Sequence, residues 1–425
     1  MFTEKQISTQ TRVFFLVVAI DLLGFGILIP LLPTMFREAG SPIFIAGDIS
    51  EAYVYLALGA FTAVYGFGQF FANPILGGLS DKFGRKNIFL YAVFGTLVSR
   101  FIILFGVLSQ SFWLVIFAKG LDGATGGIIA LVNASIADIT TKENRARYLG
   151  LIGAAIGAGF VLGPAFGGLL SLWQNSYAIY APFVLGILLS IIAFVISYFK
   201  LKETLPALLN KKDNTENEIE KIKIAPINEI KKVLKNINIT IRDKTYTKFF
   251  LVAFIFNLGF SCFTPFAGVF LKDFFAFSPL KIGIYMTLVG ITIAVAQGFL
   301  AYKFIKKYGE IKILLLGMFI ASSTIAVTIV FTGIAALAYI SAIVIAFGVS
   351  LTQASMANIF SKRAGEKQGL VMGSYSSMQV FAIGLAPLLG GIASAYNGSY
   401  AVALASFFIF IAFLIVIFWK EKIVY

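Results

Sequence analysis

Twelve runs of roughly 20 predominantly apolar residues decide what this chain can fold into, because each is long enough to cross a bilayer as a helix. They cover residues 13–36, 53–76, 88–108, 112–136, 148–171, 177–199, 247–270, 281–302, 312–332, 336–359, 368–393 and 400–419. Of 425 residues, 59% are hydrophobic and only 13% are charged, a balance no soluble domain carries. The first run is long enough to span rather than to act as a cleaved leader. The expected class is an all-α membrane protein.

The net charge of +14 raises the question of a nucleic-acid partner, and its distribution answers it. With both termini cytoplasmic, all but five of the 34 Lys and Arg fall in the termini, inner loops or inner helix ends. The exceptions are Arg37, Lys272 and Lys281 outside, and Arg100 and Lys119 within helices. This asymmetry is the positive-inside rule, so the basicity orients the chain among membrane lipids and implies no nucleic acid. The expected location is the cell (inner) membrane. Cys262 stands alone and there is no histidine, which removes multi-Cys metal sites and the usual near-neutral proton carrier. No metal, cofactor or nucleophile–base constellation is expected, so the chain does not read as an enzyme.

Charged and polar residues inside the runs are the candidate site. Asp21 lies about 12 Å into the first segment, where an unpaired carboxylate costs about 2.5–3.5 kcal/mol. Gln69 lies in the second segment, Arg100 in the third, and Lys119 and Asp122 three apart on one face of the fourth. Asn257 and Gln297 are polar positions of the second half, whose membrane cores hold no acid. Titrating carboxylates therefore belong to the first half. Asp21, with no base within a turn of its own helix, is the expected proton carrier. Asp122, beside Lys119, is expected to stay ionised and structural. A charge network serving packing alone is the competing reading for these two acids and two bases.

Two loops and one helix carry patterned residues. Gly77-Gly-Leu-Ser-Asp81-Lys-Phe-Gly84-Arg85-Lys86 forms a short charged turn between the second and third segments, and Asp138 to Arg147 forms a second. In the fifth segment Gly159, Gly163 and Gly167 recur every fourth residue, with Gly150, Pro164 and Gly168, a smooth face for close helix packing. Residues 200–246 are polar, with eleven Lys or Arg against seven acids; Ile227 to Ile237 is spaced as an amphipathic helix. Beyond them the chain repeats itself: Phe14-Phe-Leu-Val returns as Phe249-Phe-Leu-Val, the charged turn as Lys306-Lys-Tyr-Gly309-Glu, and the glycine helix as Gly384 to Gly391. The expected organisation is a six-helix bundle over 1–199, a linker with an amphipathic helix over 200–246, and a second six-helix bundle over 247–425, related by internal duplication.

The turn from Gly77 to Lys86 resembles the signature loop of the major facilitator superfamily. The fifth-segment pattern Gly150, Gly159, Gly163-Pro164, Gly167-Gly168 resembles its antiporter signature. With Asp21, Gly24, Gly26 and Pro30, and the run Gly123-Ala-Thr-Gly126, the chain is similar to the drug:proton antiporters related to tetracycline efflux carriers. That resemblance implies a central cavity, alternating access, a small-molecule substrate, protons as the energy source, no cofactor and a monomer. It places a gating charge lock at Asp81, Arg85, Asp138 and Arg147. The chain departs from the family at Ile116, where proton-coupled members carry arginine, and at Ser99 and Ala321, where tetracycline carriers are acidic. Export of a small amphiphilic compound in exchange for protons is the leading expectation. A symporter or uniporter for a nutrient or organic anion, and a non-transporting membrane sensor, remain as alternatives.

Overall fold

A computed structural model describes residues 3–37, 51–141, 144–173, 178–205, 226–243, 246–364 and 367–423. Twelve helices in it are long and apolar enough to span a membrane, and among the described residues there is no strand. In chain order the first six are α1 (Glu4–Phe36), α2 (Ala52–Phe83), α3 (Arg85–Leu108), α4 (Phe112–Ile139), α5 (Arg145–Leu170) and α6 (Ala181–Lys200). A linker helix, α7 (Pro226–Arg242), follows. The remaining six are α8 (Thr247–Phe275), α9 (Pro279–Tyr308), α10 (Glu310–Val330), α11 (Ala335–Ala364), α12 (Gln368–Tyr396) and α13 (Tyr400–Trp419). Residues 206–225 of the expected linker lie outside the described residues.

Each half has its own apolar core. Val17, Phe89, Val132 and Ile152 are buried together in α1, α3, α4 and α5, and Phe256, Met318, Val349 and Ile409 in α8, α10, α11 and α13. Twelve spans place the start of α1 and the end of α13 on one face of the membrane, here the terminal side. The other face is the far side.

Pro30 sits in a 3-10 turn over Ile29–Leu31 that interrupts α1 near the far side, since proline cannot donate an intrahelical hydrogen bond. Gly126 and Gly127 interrupt α4, splitting it into Phe112–Thr125 and Ile128–Ile139. The charged turn is shorter than its sequence suggests. Helix α2 continues through Asp81 and Lys82 to Phe83, and the reversal is made at Gly84 alone, with φ 96°. Gly309 makes the equivalent reversal between α9 and α10 with φ 85°. A left-handed φ costs a residue with a Cβ, which is why glycine stands at both turns.

The halves meet on the far side. Gly168 of α5 faces Gly283 of α9 so closely that an added Cβ would lie 3.2 Å from the Gly283 Cα. A Cβ on Gly391 of α12 would lie 2.8 Å from the Tyr55 carbonyl of α2. The Tyr55 hydroxyl donates to Asp273 at 2.9 Å across the same junction. Toward the terminal side the contact thins: Gly157 meets Ala294 at an ordinary 3.6 Å, and Gly150, Gly153, Gly298 and Gly373 have open space beside them. The tight glycine contacts between the halves thus run from the far side to mid-membrane, where Gly66 of α2 lies against Gly384 of α12.

Candidate functional site

Four charged side chains from three helices converge near mid-membrane, below the far-side junction. Asp21, halfway along α1, accepts from Arg100 of α3 at 2.9 Å, and the same guanidinium nitrogen donates to the Asp21 backbone carbonyl at 3.0 Å. The other terminal nitrogen of Arg100 is held by the Ser190 hydroxyl and the Gly186 carbonyl of α6. Asp21 therefore has a base from a neighbouring helix, which corrects the expectation of an unaccompanied carboxylate. Gly24 makes the pair possible, since a Cβ there would come within 2.7 Å of the guanidinium.

Lys119 and Asp122 pair as their spacing requires, at 2.7 Å. Lys119 is 3% exposed, and its ammonium also lies over the rings of Tyr65 at 4.5 Å, Phe25 at 4.9 Å and Phe61 at 5.7 Å. Each aromatic face contributes on the order of 0.5–2 kcal/mol to holding a desolvated cation. Ser99 donates to the second Asp122 oxygen at 3.3 Å. The serine that stands where tetracycline carriers are acidic thus supports Asp122 rather than repelling it. Two acids and two bases balance, and a cavity of about 20 Å³ beside three of them is lined by Gly24, Phe25, Arg100, Lys119, Asp122 and Phe183. It has room for about one water molecule, so a drug-sized compound requires the site to widen.

The polar residues sort differently. Gln69 donates to Tyr65 at 2.9 Å and to the Gly126 carbonyl at 3.2 Å, satisfying backbone left exposed where α4 breaks. Asn257 is buried and donates to the Ala253 carbonyl of its own helix at 2.7 Å. Gln297 pairs with Gln353 of α11 at 3.0 Å from a single π-helical turn, Ala296–Leu300. Neither Gln297 nor Asn257 touches the charged group in the first half.

The residues expected to form the charge lock make a smaller cluster than expected. Arg85 is clasped by Asp81 at 2.6 Å, Asp138 at 2.8 Å and the Ser80 hydroxyl at 2.6 Å, which joins the terminal-side ends of α2, α3 and α4. Arg147 is exposed and stands outside it. Its neighbour Arg145 instead donates to the Ala137 carbonyl at 2.9 Å, capping the end of α4. One participant went unread in the sequence. Glu203, just past α6, accepts from the backbone of Arg85 at 2.9 Å and of Lys86 at 3.2 Å, a carboxylate seated on the start of α3. Lys86 joins through that backbone bond. Glu310, in the position of Arg85 after the second glycine turn, is held by Lys362 and by Asn358 at 3.1 Å. The residue that follows the glycine is thus a base in the first half and an acid in the second.

The glycines of α5 divide by position. Gly159 and Gly163 lie against α1, where a Cβ would meet the Leu22 Cβ at 2.6 Å and the Gly26 Cα at 2.7 Å, and Gly167 abuts the Ile27 carbonyl. Pro164 contacts Gly26 from the same face, while Gly168 turns to α9. Gly150 and Gly77 meet nothing within 4 Å, so close packing does not explain them.

This geometry is that of a helical membrane protein of two packed halves with a charged mid-membrane site. The chain belongs to the Major Facilitator Superfamily, whose pattern it matches over residues 14–387 and 249–423. It is 26% identical to multidrug resistance protein 2 of Bacillus subtilis, over 99% of this chain and 98% of that one. To the class B tetracycline resistance protein of Escherichia coli it is 27% identical, over 93% and 90%. Among solved structures, the human organic anion transporter MFSD10 superposes with a TM-score of 0.67 at 20% identity, covering 96% of this chain and 99% of that one. The xylose transporter XylE of E. coli, in a partially occluded inward-open conformation, superposes at 0.75 and 14% identity, covering 98% of each. These likenesses make the protein a multi-pass membrane transporter homologous to multidrug and tetracycline efflux proteins.

Proposed function

We propose that the protein exports a small amphiphilic compound in exchange for protons by alternating access, as a monomeric carrier that uses the proton gradient, no cofactor and no covalent chemistry. The observation that carries this reading is the balanced group Asp21–Arg100 and Lys119–Asp122, held near mid-membrane in the first half. Both termini are cytoplasmic in this reading, and the membrane is the cell membrane. The equivalent turns at Gly84 and Gly309 support a duplicated six-helix unit.

Coupling follows from competition. A mid-membrane carboxylate is stable either protonated or paired with a base, and being neither is costly. When Arg100 is drawn toward Ser190 and Gly186, or a cationic substrate moves between the pairs, Asp21 exchanges its partner for a proton or the reverse. Loss of the proton on one side and gain on the other ties the cycle to the gradient. The two bases are each matched by an acid, which leaves no surplus positive charge for an organic anion and disfavours that alternative.

The test is proton release from everted membrane vesicles with an acid lumen. Ethidium, norfloxacin and tetracycline are added in turn, and lumenal pH is followed. At least one of them should collapse the gradient in a protein-dependent way. Uptake that runs with the proton rather than against it would establish a symporter. Absence of proton movement with bound compound would point to a sensor. Single cysteines at positions 231 and 235, in a Cys262→Ala background, should react with impermeant thiol reagents from the cytoplasmic side alone.

A further inference from the structure

The linker helix α7 has no part in the cycle described above, yet it spans both halves. At one end Glu229 lies against Gly78 of α2, where a Cβ would come within 3.0 Å of the glutamate side chain. At the other, the Thr240 hydroxyl shares a 3.1 Å hydrogen bond with Ser374 of α12. These anchors set the depth of the helix. With 32 residues, α2 is about 48 Å long and overshoots a hydrocarbon core of about 30 Å by roughly 9 Å at each end. Gly78 and Ser374 lie about 8–9 Å from their helix ends. Both attachments therefore fall at the boundary between acyl chains and headgroups.

The anchors use one face. At about 100° per residue, Glu229, Val233 and Thr240 share one side, and Lys231, Lys235 and Arg242 fall within about 40° of one another on the opposite side. Those three are exposed, and Leu234 and Ile239, 48% and 47% exposed, flank them on either side. Glu229, the one acid of the helix, is on the anchored face. A stripe of cations bordered by two apolar side chains at headgroup depth matches an anionic lipid surface, with phosphates for the cations and the upper acyl region for Leu234 and Ile239. A polyanion in water would match the lysines and leave the apolar flanks unmatched.

We propose that this outward face of α7 binds the anionic phospholipid headgroups of the bilayer, which hold the helix as a strap across α2 and α12. To test this, Asn238→Cys, which places a thiol at the centre of the stripe, is labelled with a fluorophore in the full-length Cys262→Ala protein. The protein is reconstituted into phosphatidylcholine vesicles containing equal amounts of brominated phosphatidylglycerol or brominated phosphatidylcholine. Quenching should report an enrichment of the anionic lipid of about fivefold. The excess should vanish at high salt, because exposed charges are then screened. It should vanish also in the Lys231→Gln, Lys235→Gln, Arg242→Gln variant, while quenching by brominated phosphatidylcholine persists through the apolar flanks. Equal quenching by the two lipids would overturn the proposal, as would no quenching by either, which would turn the face toward water or another protein. The salt comparison uses unaltered charges, so it decides the matter even if the triple variant fails to fold.

Discussion

The guanidinium of Arg100 bridges the carboxylate and the backbone carbonyl of the same residue, Asp21, at 2.9 and 3.0 Å. A single cation thus ties α3 to α1 at two points of mid-membrane, while Ser190 and Gly186 hold its other nitrogen from α6. Arg100 retains acceptors when the Asp21 carboxylate is neutralised. The guanidinium then keeps its hydrogen bonds but loses its counter-charge, which favours return of the Asp21 carboxylate.

Asp21→Asn should therefore fold and bind substrate but lose accumulation driven by a pH gradient, by tenfold or more. Purified protein in proteoliposomes, with binding and uptake measured on one preparation, separates the two. Full pH-driven accumulation would move the proton site to Asp122.

Asp122→Asn is expected to behave differently. Lys119 is buried with Asp122 as its one carboxylate, and removing that partner costs about 3–5 kcal/mol. The variant should yield markedly less folded protein, read by fluorescence-detected size exclusion, and Lys119→Met combined with it should recover much of the yield. A well-folded Asp122→Asn variant would show that the aromatic rings suffice for Lys119.

Around the terminal-side lock, Arg85→Gln should slow turnover strongly, because it releases Asp81, Asp138 and Ser80 together. Arg147→Gln, outside the lock, should change turnover less than twofold. Glu203→Ala removes a charged cap from α3, worth about 1 kcal/mol, and should raise hydrogen exchange at residues 84–88 before it affects expression. Equal effects of Arg85→Gln and Arg147→Gln on transport would refute this partition.

On α5, Gly163→Val should disrupt the seat of α1, since even a Cβ would stand 2.7 Å from the Gly26 backbone. Overpacking of this kind costs about 1–3 kcal/mol or more, so the thermal midpoint should fall by several degrees. Gly150→Val, beside open space, should leave that midpoint unchanged. Its effect, if any, should appear in transport, when the terminal side closes.

Much of this protein was legible along the chain. Twelve apolar runs became twelve spanning helices because a bilayer leaves the backbone no other partner than itself. Lys119 and Asp122 paired because three residues on a helix share a face, and Gly159, Gly163 and Gly167 met α1 because every fourth residue does too. Local periodicity determines these features, and local periodicity is what a sequence displays. What spacing does not display is which helices lie side by side. Asp21 looked unaccompanied because Arg100 is 79 positions away. Glu203 looked like a linker residue because the helix start it caps is 118 positions earlier. Arg147, set by pattern in the lock, lies outside it, and Gln69 attends to the break in α4. Each of those partnerships was decided only by the packing of helices distant in sequence, where burial makes an unpaired charge or carbonyl too costly to leave alone.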